Sequence, residues 1–212
     1  MIDAISEKTV ERLSLYRRIL EGMAAEGKTS IFSHQLSALT GGTAAQVRQD
    51  MRVLGYNGSS ANGYDIAQLI ESIGLFFRGK GCHKAVLVGI GNLGRALLAY
   101  FAGRSPYMEI QAAFDTEPGK TGRVIHGCRC YPVDELVPII RRETICTAII
   151  AVPDQAAQQT ADLLVEGGIS GILNFAPTRI HVPAGIYVDN IDLTMSVEKV
   201  AYFANKKFKE KE

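Results

Sequence analysis

The sequence predicts an α/β chain in two parts: a helical first part, then a second part built on a doubly wound, mostly parallel sheet. Three observations carry this. Before about residue 80 the apolar residues recur at helical spacing, and after it short β-branched runs alternate with helical stretches. The run "VLVGIGNLGRALLAYF", Val86 to Phe101, passes from an apolar strand into glycines and resumes as an apolar helix. "TAIIAV", Thr147 to Val152, is apolar throughout, as suits a strand buried on both faces of a parallel sheet.

The bulk numbers agree. The chain has 212 residues, which suits one domain of about 130 residues plus a smaller one. With 47% hydrophobic and 21% charged residues, a soluble globular protein with a packed core is expected and a disordered chain is excluded. The net charge is +1, so any basic footprint must be local. "MIDAISEKTVERL" is charged and lacks a signal-peptide core. No apolar run reaches the ~20 residues of a bilayer span. The expectation is a cytoplasmic protein with no membrane partner. The four cysteines are Cys82, Cys128, Cys130 and Cys146. They form no Cys-x-x-Cys pair, so no metal site is expected.

In the first part, Thr9 to Ala25 reads as an amphipathic helix, with Val10, Leu13, Tyr16, Arg17 and Leu20 on one side and Gly27 as its stop. "SHQLSALT", Ser33 to Thr40, is a short helix with Ser33 as N-cap. Two glycines follow. Thr43, with Gln46 three positions on, then opens a capped helix. Val47, Met51 and Leu54 face inward on it, and Ala45, Arg48, Gln49 and Arg52 face outward. Short helix, glycine turn and capped helix with an Arg/Gln outer face is a helix-turn-helix pattern. Arginine can pair bidentately with guanine, and glutamine with adenine. The same order of elements also fits a three-helix unit with no DNA role. "GYNGSSANGY", Gly55 to Tyr64, suits a hairpin turn, which here would be a wing. Asp65, with Gln68 three on, caps a helix to about Phe77, and "FFRGKGCHK" reads as a linker.

In the second part, Gly89, Gly91 and Gly94 form Gly-x-Gly-x-x-Gly between strand and helix, the context a dinucleotide fingerprint requires. Gly89 makes the tight turn, Gly91 admits the pyrophosphate, and Gly94 lets helix pack on strand. The helix start supplies amides and positive dipole for phosphate. "EIQAAFD" is the next strand and ends in Asp115, 21 residues after Gly94. An acid there accepts hydrogen bonds from a ribose diol and repels a 2′-phosphate, so NAD is expected rather than NADP. Asp134 to Arg142 is helical, "DQAAQQTADLLVEGG" is a helix, and "GILNFAP" and "GIYVDNID" are strands. Ligands bind at the carboxyl ends of such strands, which places Val152, Pro153, Asn174 and Phe175 near the nicotinamide half. Ordinary strand-end packing would explain the same four residues.

A dehydrogenase needs a proton donor or acceptor beside the hydride site. His34, His83, His126 and His181 fall in loops, the linker or the helix-turn-helix, so no catalytic residue is expected. Tyr202 and Lys206 match the Tyr-x-x-x-Lys spacing of short-chain dehydrogenases, but the chain ends six residues later. A terminal amphipathic helix from Thr194 to about Lys207 explains both. Its apolar side could pack on a partner subunit or on its own domain.

A winged helix joined to a small NAD-type Rossmann domain without catalytic residues resembles the Rex family of bacterial redox-sensing transcriptional repressors. The resemblance runs through "YRRILE", "AQVRQDMRVLG", "GYDIAQL", "VGIGNLGRALLAYF", "AAFD", "AVP", "GILNFAP" and "NIDLT". It implies a winged-helix domain over 1–80, a Rossmann domain over 81–192 and a domain-swapped C-terminal helix over 193–212. It implies a homodimer that binds a palindromic operator when NAD+ dominates and is released by NADH. Thr43, Ala45, Gln46, Arg48, Gln49 and Arg52 would then face DNA. Gly89, Ile90, Gly91, Asn92, Leu93 and Gly94 would hold the pyrophosphate turn, and Asp115 the adenosine ribose. Arg18, Tyr100 and Asp192 match the family's polar switch residues, which couple the first helix of one subunit to its partner's C-terminal segment. Three departures stand out. Gln49 replaces a usual lysine, the wing "NGSSANG" is uncharged, and Leu193 follows Asp192 where some members carry an aromatic. Fewer phosphate contacts imply weaker DNA binding with a flatter salt dependence. The competing reading from the residues is a small NAD-dependent oxidoreductase with an accessory helical domain.

Overall fold

The structure is a computed structural model and describes residues 5–56, 58–59, 62–79, 83–103 and 108–209. It divides into two compact units, Met1–Gly81 and Cys82–Glu212.

The first unit runs α1 (Glu7–Ala25), β1 (Ser30–Ile31), α2 (Ser33–Thr40), α3 (Ala44–Val53), β2 (Tyr64–Asp65) and α4 (Ile66–Arg78). The short strands β1 and β2 pair antiparallel. Leu13, Tyr16, Leu20, Leu36, Val47, Met51, Leu69 and Ile73 bury themselves between the four helices. Two local expectations are corrected. Val10 is exposed, and Thr9 takes the inward place one residue earlier, so the stripe of α1 is Thr9, Leu13, Tyr16 and Leu20. Ser33 is not the cap of α2. The extended residue Phe32 is, and Gln35 reaches back so that its Oε1 accepts the Phe32 N–H at 2.9 Å. The other caps form as read: Thr43 Oγ1 accepts from the Gln46 N–H at 3.2 Å, and Asp65 Oδ1 from the Gln68 N–H at 2.8 Å. Within the wing sequence, Ser59 and Gly63 form an antiparallel bridge. Asn57, Ser60 and Ala61 of the wing, and Cys82 within the linker, lie outside the described residues.

The second unit runs β3 (Lys84–Val88), α5 (Asn92–Phe101), β4 (Glu109–Asp115), β5 (Val124–Ile125), β6 (Cys128–Pro132), a 3-10 turn (Val133–Glu135), α6 (Leu136–Glu143), β7 (Thr147–Ile150), α7 (Asp154–Gly167), β8 (Gly171–Asn174), β9 (Tyr187–Asn190) and α8 (Leu193–Lys209). Among the described residues the sheet has seven strands in the order β5-β6-β4-β3-β7-β8-β9, parallel except for the β5–β6 pair. The chain winds outward from β3 through β4 to β6, then crosses to β7 and winds the other way. The crevice outside the carboxyl ends of β3 and β7 is therefore the topological switch point, where such sheets bind ligands. Strand alternation splits the core. Val86, Val88, Ala112, Phe114, Ala148 and Ile150 pack toward α6 and α7, whereas Leu87, Ala113 and Ile149 pack with Leu98 of α5. Strand β6 was not expected, because "CRCYP" carries an arginine and a proline and no apolar run. It forms because Cys130 pairs with Ala113 and both its cysteines are buried. In the chain as it stands, α8 exposes Leu193, Met195, Val197, Val200, Tyr202 and Phe203, each by more than half.

Candidate functional site

A cleft of about 660 Å³ lies at the carboxyl ends of β3 and β7. Of the residues expected to hold a cofactor, Gly89, Gly91, Asn92, Leu93, Asp115, Val152, Pro153 and Phe175 line it. Ile90, Gly94 and Asn174 are buried beneath and are not among the lining residues.

The turn entering the cleft is built from glycine for steric reasons. Gly89 has φ +96°, and a Cβ there would meet the Ala151 carbonyl oxygen at 2.5 Å. A Cβ on Gly94 would run into the Gly89 carbonyl, so α5 can pack this close to the turn only without one. Gly91 differs: a Cβ there would meet no protein atom within 4 Å and would take up space in the cleft instead. No side chain caps α5, and its positive end opens at Gly91. This combination fits a dinucleotide's pyrophosphate, which needs close backbone approach and uncommitted amides.

Asp115 ends β4 and is nearly buried. Its carboxylate accepts the Ile90 N–H at 2.7 Å, the Glu117 N–H at 2.9 Å and the Lys120 ammonium at 3.2 Å. Burial alone would raise its pKa, but the Glu117 and Ile90 amides and the Lys120 cation outweigh burial. The carboxyl titrates below its usual range and is an anion at neutral pH. Lys120 also pairs with Glu117 at 2.7 Å. Lys120 and Glu117 both line the cleft, and the sequence reading did not include them. Their signal was the Pro118-Gly119 turn in "TEPGK", which returns the chain so that the lysine reaches the strand end.

The residues expected at DNA are all exposed: Thr43, Ala45, Gln46, Arg48, Gln49 and Arg52 share the outer side of α3 and its cap. Arg48 Nη1 lies 3.3 Å from Ser33 Oγ at the start of α2. Beneath them is an arrangement the sequence reading passed over. Arg12 of α1 donates to both oxygens of Asp50 on α3, at 2.7 Å each, and the Tyr16 hydroxyl donates to Asp50 at 2.9 Å. Asp50 is only 2% exposed, so three donors on one buried carboxylate lock α3 to α1. Burial first, and then the bond to Asp50, push the Tyr16 hydroxyl well above its ordinary pKa.

Arg18 is exposed on α1, Tyr100 is 53% exposed on α5, and Asp192 caps α8, its Oδ1 accepting the Met195 N–H at 2.9 Å. Cys128 and Cys130 are buried free thiols. Burial, aided by Cys130 and Glu109, pushes the Cys128 thiol up to about 11, so it is not a thiolate at neutral pH. No histidine lines the cleft among the described residues.

Two family models match. A CoA binding domain covers residues 82–178, and a putative DNA-binding protein N-terminus covers residues 4–51. The redox-sensing transcriptional repressor Rex of Rhodopirellula baltica is 39% identical over 93% of this chain and 84% of its own length. That of Latilactobacillus sakei is 35% identical over 94% and 96%. Among solved structures, the Rex-family repressor RSP in complex with β-NAD+ and operator DNA superposes with a TM-score of 0.88. Its identity to this chain is 30%, over 98% of this chain and 95% of that one. RSP in complex with β-NADH gives 0.84 at 30% identity, over 99% of both chains. These relatives are repressors and not enzymes, which sets the oxidoreductase reading aside. With a DNA-binding N-terminus, a glycine-turn cleft on a parallel sheet and relatives of this identity along almost its whole length, the chain belongs to the Rex family of redox-sensing transcriptional repressors.

Proposed function

We propose that this chain represses transcription as a homodimer on a palindromic operator when NAD+ dominates, and that NADH in the cleft releases it. One observation carries the reading: the exposed Arg/Gln face of α3 and the glycine-turn cleft occur in one chain whose relative RSP has been solved both with NAD+ and operator DNA and with NADH. In this reading residues 1–80 read DNA, 81–192 hold the dinucleotide and 193–212 pair with a second copy. Arg48 contacts a base edge, with Thr43, Ala45, Gln46, Gln49 and Arg52 around it.

Gly89, Gly91, Asn92 and Leu93 hold the pyrophosphate at the start of α5, above the packing provided by Ile90 and Gly94. Asp115, Glu117 and Lys120 flank the adenosine ribose. Bound nicotinamide presents a cationic ring when oxidised and a neutral one when reduced. Val152, Pro153 and Phe175 give that end of the cleft an apolar wall, which penalises burial of the cation and favours the reduced form. Arg18, Tyr100 and Asp192 form the polar switch between subunits. The exposed apolar side of α8 supports a second copy as its cover. A repressor works where its operator lies, which places the chain in the cytoplasm. No helix among the described residues is long and apolar enough to cross a membrane.

The test is fluorescence anisotropy with a labelled palindromic duplex. Affinity is expected to be high with NAD+ and to fall at least tenfold with NADH, and an unchanged affinity overturns the reading. Arg48→Ala should cost about 1–3 kcal/mol of operator binding, as loss of a bidentate base contact does, and leave NADH affinity intact.

A further inference from the structure

Asn174 was expected to touch the cofactor, but its bonds give it a different part. It ends β8 and is fully buried. Its side-chain amide donates to the Thr178 carbonyl at 2.8 Å and to Asn190 Oδ1 at 2.9 Å. Its Oδ1 accepts the Ala176 N–H at 3.0 Å, and its main-chain carbonyl accepts the Ile191 N–H at 2.8 Å. The polar groups of this side chain are therefore all engaged, and losing one partner leaves a buried group unpaired.

The two sides of this clamp lead to different places. The bonds to Ala176 and Thr178 fix the loop that carries Phe175 and Pro177, both of which line the cleft. The bonds to Asn190 and Ile191 fix the segment that runs directly into Asp192. There the Asp192 Oδ1 accepts the Met195 N–H and its carbonyl accepts the Ser196 hydroxyl at 2.8 Å, which starts α8. One buried carboxamide thus ties the cleft wall to the root of the helix whose apolar side is open.

We propose that Asn174 and Asn190 are positioning residues that transmit a displacement of the Phe175–Pro177 wall to the base of α8, so that ligand in the cleft sets the direction of the helix offered to the second copy. This rests on the repressor reading above. The bond has a polarity that makes it testable. Position 190 must present an acceptor to the Asn174 amide. Asn190→Asp keeps an acceptor there and Asn190→Ala removes it. Asn190 is itself exposed and is not among the residues lining the cleft, so neither change disturbs the ligand's walls directly.

The experiment uses the full chain as wild type, Asn190→Ala and Asn190→Asp. NADH affinity is read by its fluorescence, and operator affinity by anisotropy with NAD+ and with saturating NADH. In Asn190→Ala, NADH affinity and operator affinity with NAD+ are expected to stay within about twofold of wild type. The NADH-driven loss of operator affinity should shrink by roughly fivefold or more, the lower end of measured couplings. Asn190→Asp should retain the wild-type response. The proposal is overturned if Asn190→Ala releases operator as wild type does. It is equally overturned if Asn190→Asp fails as badly as Asn190→Ala, or if Asn190→Ala loses NADH affinity in parallel, since that pattern marks general damage. A wild type that does not respond to NADH at all would instead bring down the repressor reading and this inference with it.

Discussion

A methyl group added at Gly91 and one added at Gly94 have opposite consequences. At Gly94 it strikes the Gly89 carbonyl, and α5 has to move off the turn. At Gly91 it meets no protein atom within 4 Å, and the backbone there, with φ −75°, suits any residue. Gly91→Ala should therefore fold with an unchanged circular-dichroism melt and lose at least tenfold in NADH affinity by fluorescence titration. Unchanged NADH binding would show that the pyrophosphate does not lie against this turn. The glycine spacing was legible because turn geometry is imposed within a few residues. The charge state of Asp115 was not, since it depends on Lys120 returning from beyond a turn to sit 3.2 Å away. Because Asp115 titrates below the ordinary carboxylate value of about 4, its stabilising bonds are fully present above that pH and are lost as pH falls through its lowered value. At neutral pH the Asp115 end of the cleft keeps its anion.

Among the elements, α3 illustrates what periodicity records and what it hides. Val47, Met51 and Leu54 were read as its inner face, and Val47 and Met51 are buried. Asp50 lies on that same face, three positions after Val47, and a buried carboxylate there demanded a cationic partner. Arg12, itself partly exposed, supplies it from 38 residues away. Arg12→Ala would leave Asp50 buried with the Tyr16 hydroxyl as its remaining side-chain donor. Breaking a buried pair from one side costs about 3–5 kcal/mol, so a marked drop in the urea midpoint is expected. A shift below about 1 kcal/mol, typical of an exposed pair, would show that the bond does not hold α3 to α1. At the cap of α2, Ser33 has the side chain of an N-cap but the helix begins on it, because Gln35 closes on the preceding amide. N-cap preference alone does not choose between adjacent residues.

At the scale of the whole molecule, α8 is the part a single chain leaves unfinished. Val200 and Phe203 are 67% and 60% exposed, on a helix with a full apolar side. If a second copy covers it, carboxylates placed there are buried without partners on association. Val200→Glu combined with Phe203→Glu should convert a dimer to a monomer by light scattering and lower operator affinity, because half-sites are then bound one at a time. NADH binding to the cleft should persist. A dimer that survives both substitutions would show that α8 is covered by something else. The uncharged wing and Gln49 belong to the same scale: with few cations to meet phosphate, operator affinity measured by anisotropy across a salt series is expected to fall with a shallow slope.

By itself the sequence determined the two-part organisation, the glycine turn between β3 and α5, the alternation of strands and helices, and the outward residues of α3. Each of these is built up from hydrophobic period or turn chemistry that is local to one element at a time, within a window of roughly 11–18 residues. Only the tertiary structure decided that "CRCYP" is a strand, that Lys120 closes on Asp115, that Arg12 belongs to Asp50, and that Asn174 clamps the root of α8. The reason is physical. These are pairings of polar or short segments whose partners lie on other elements, and their free energy comes from burial that exists only once those elements have met.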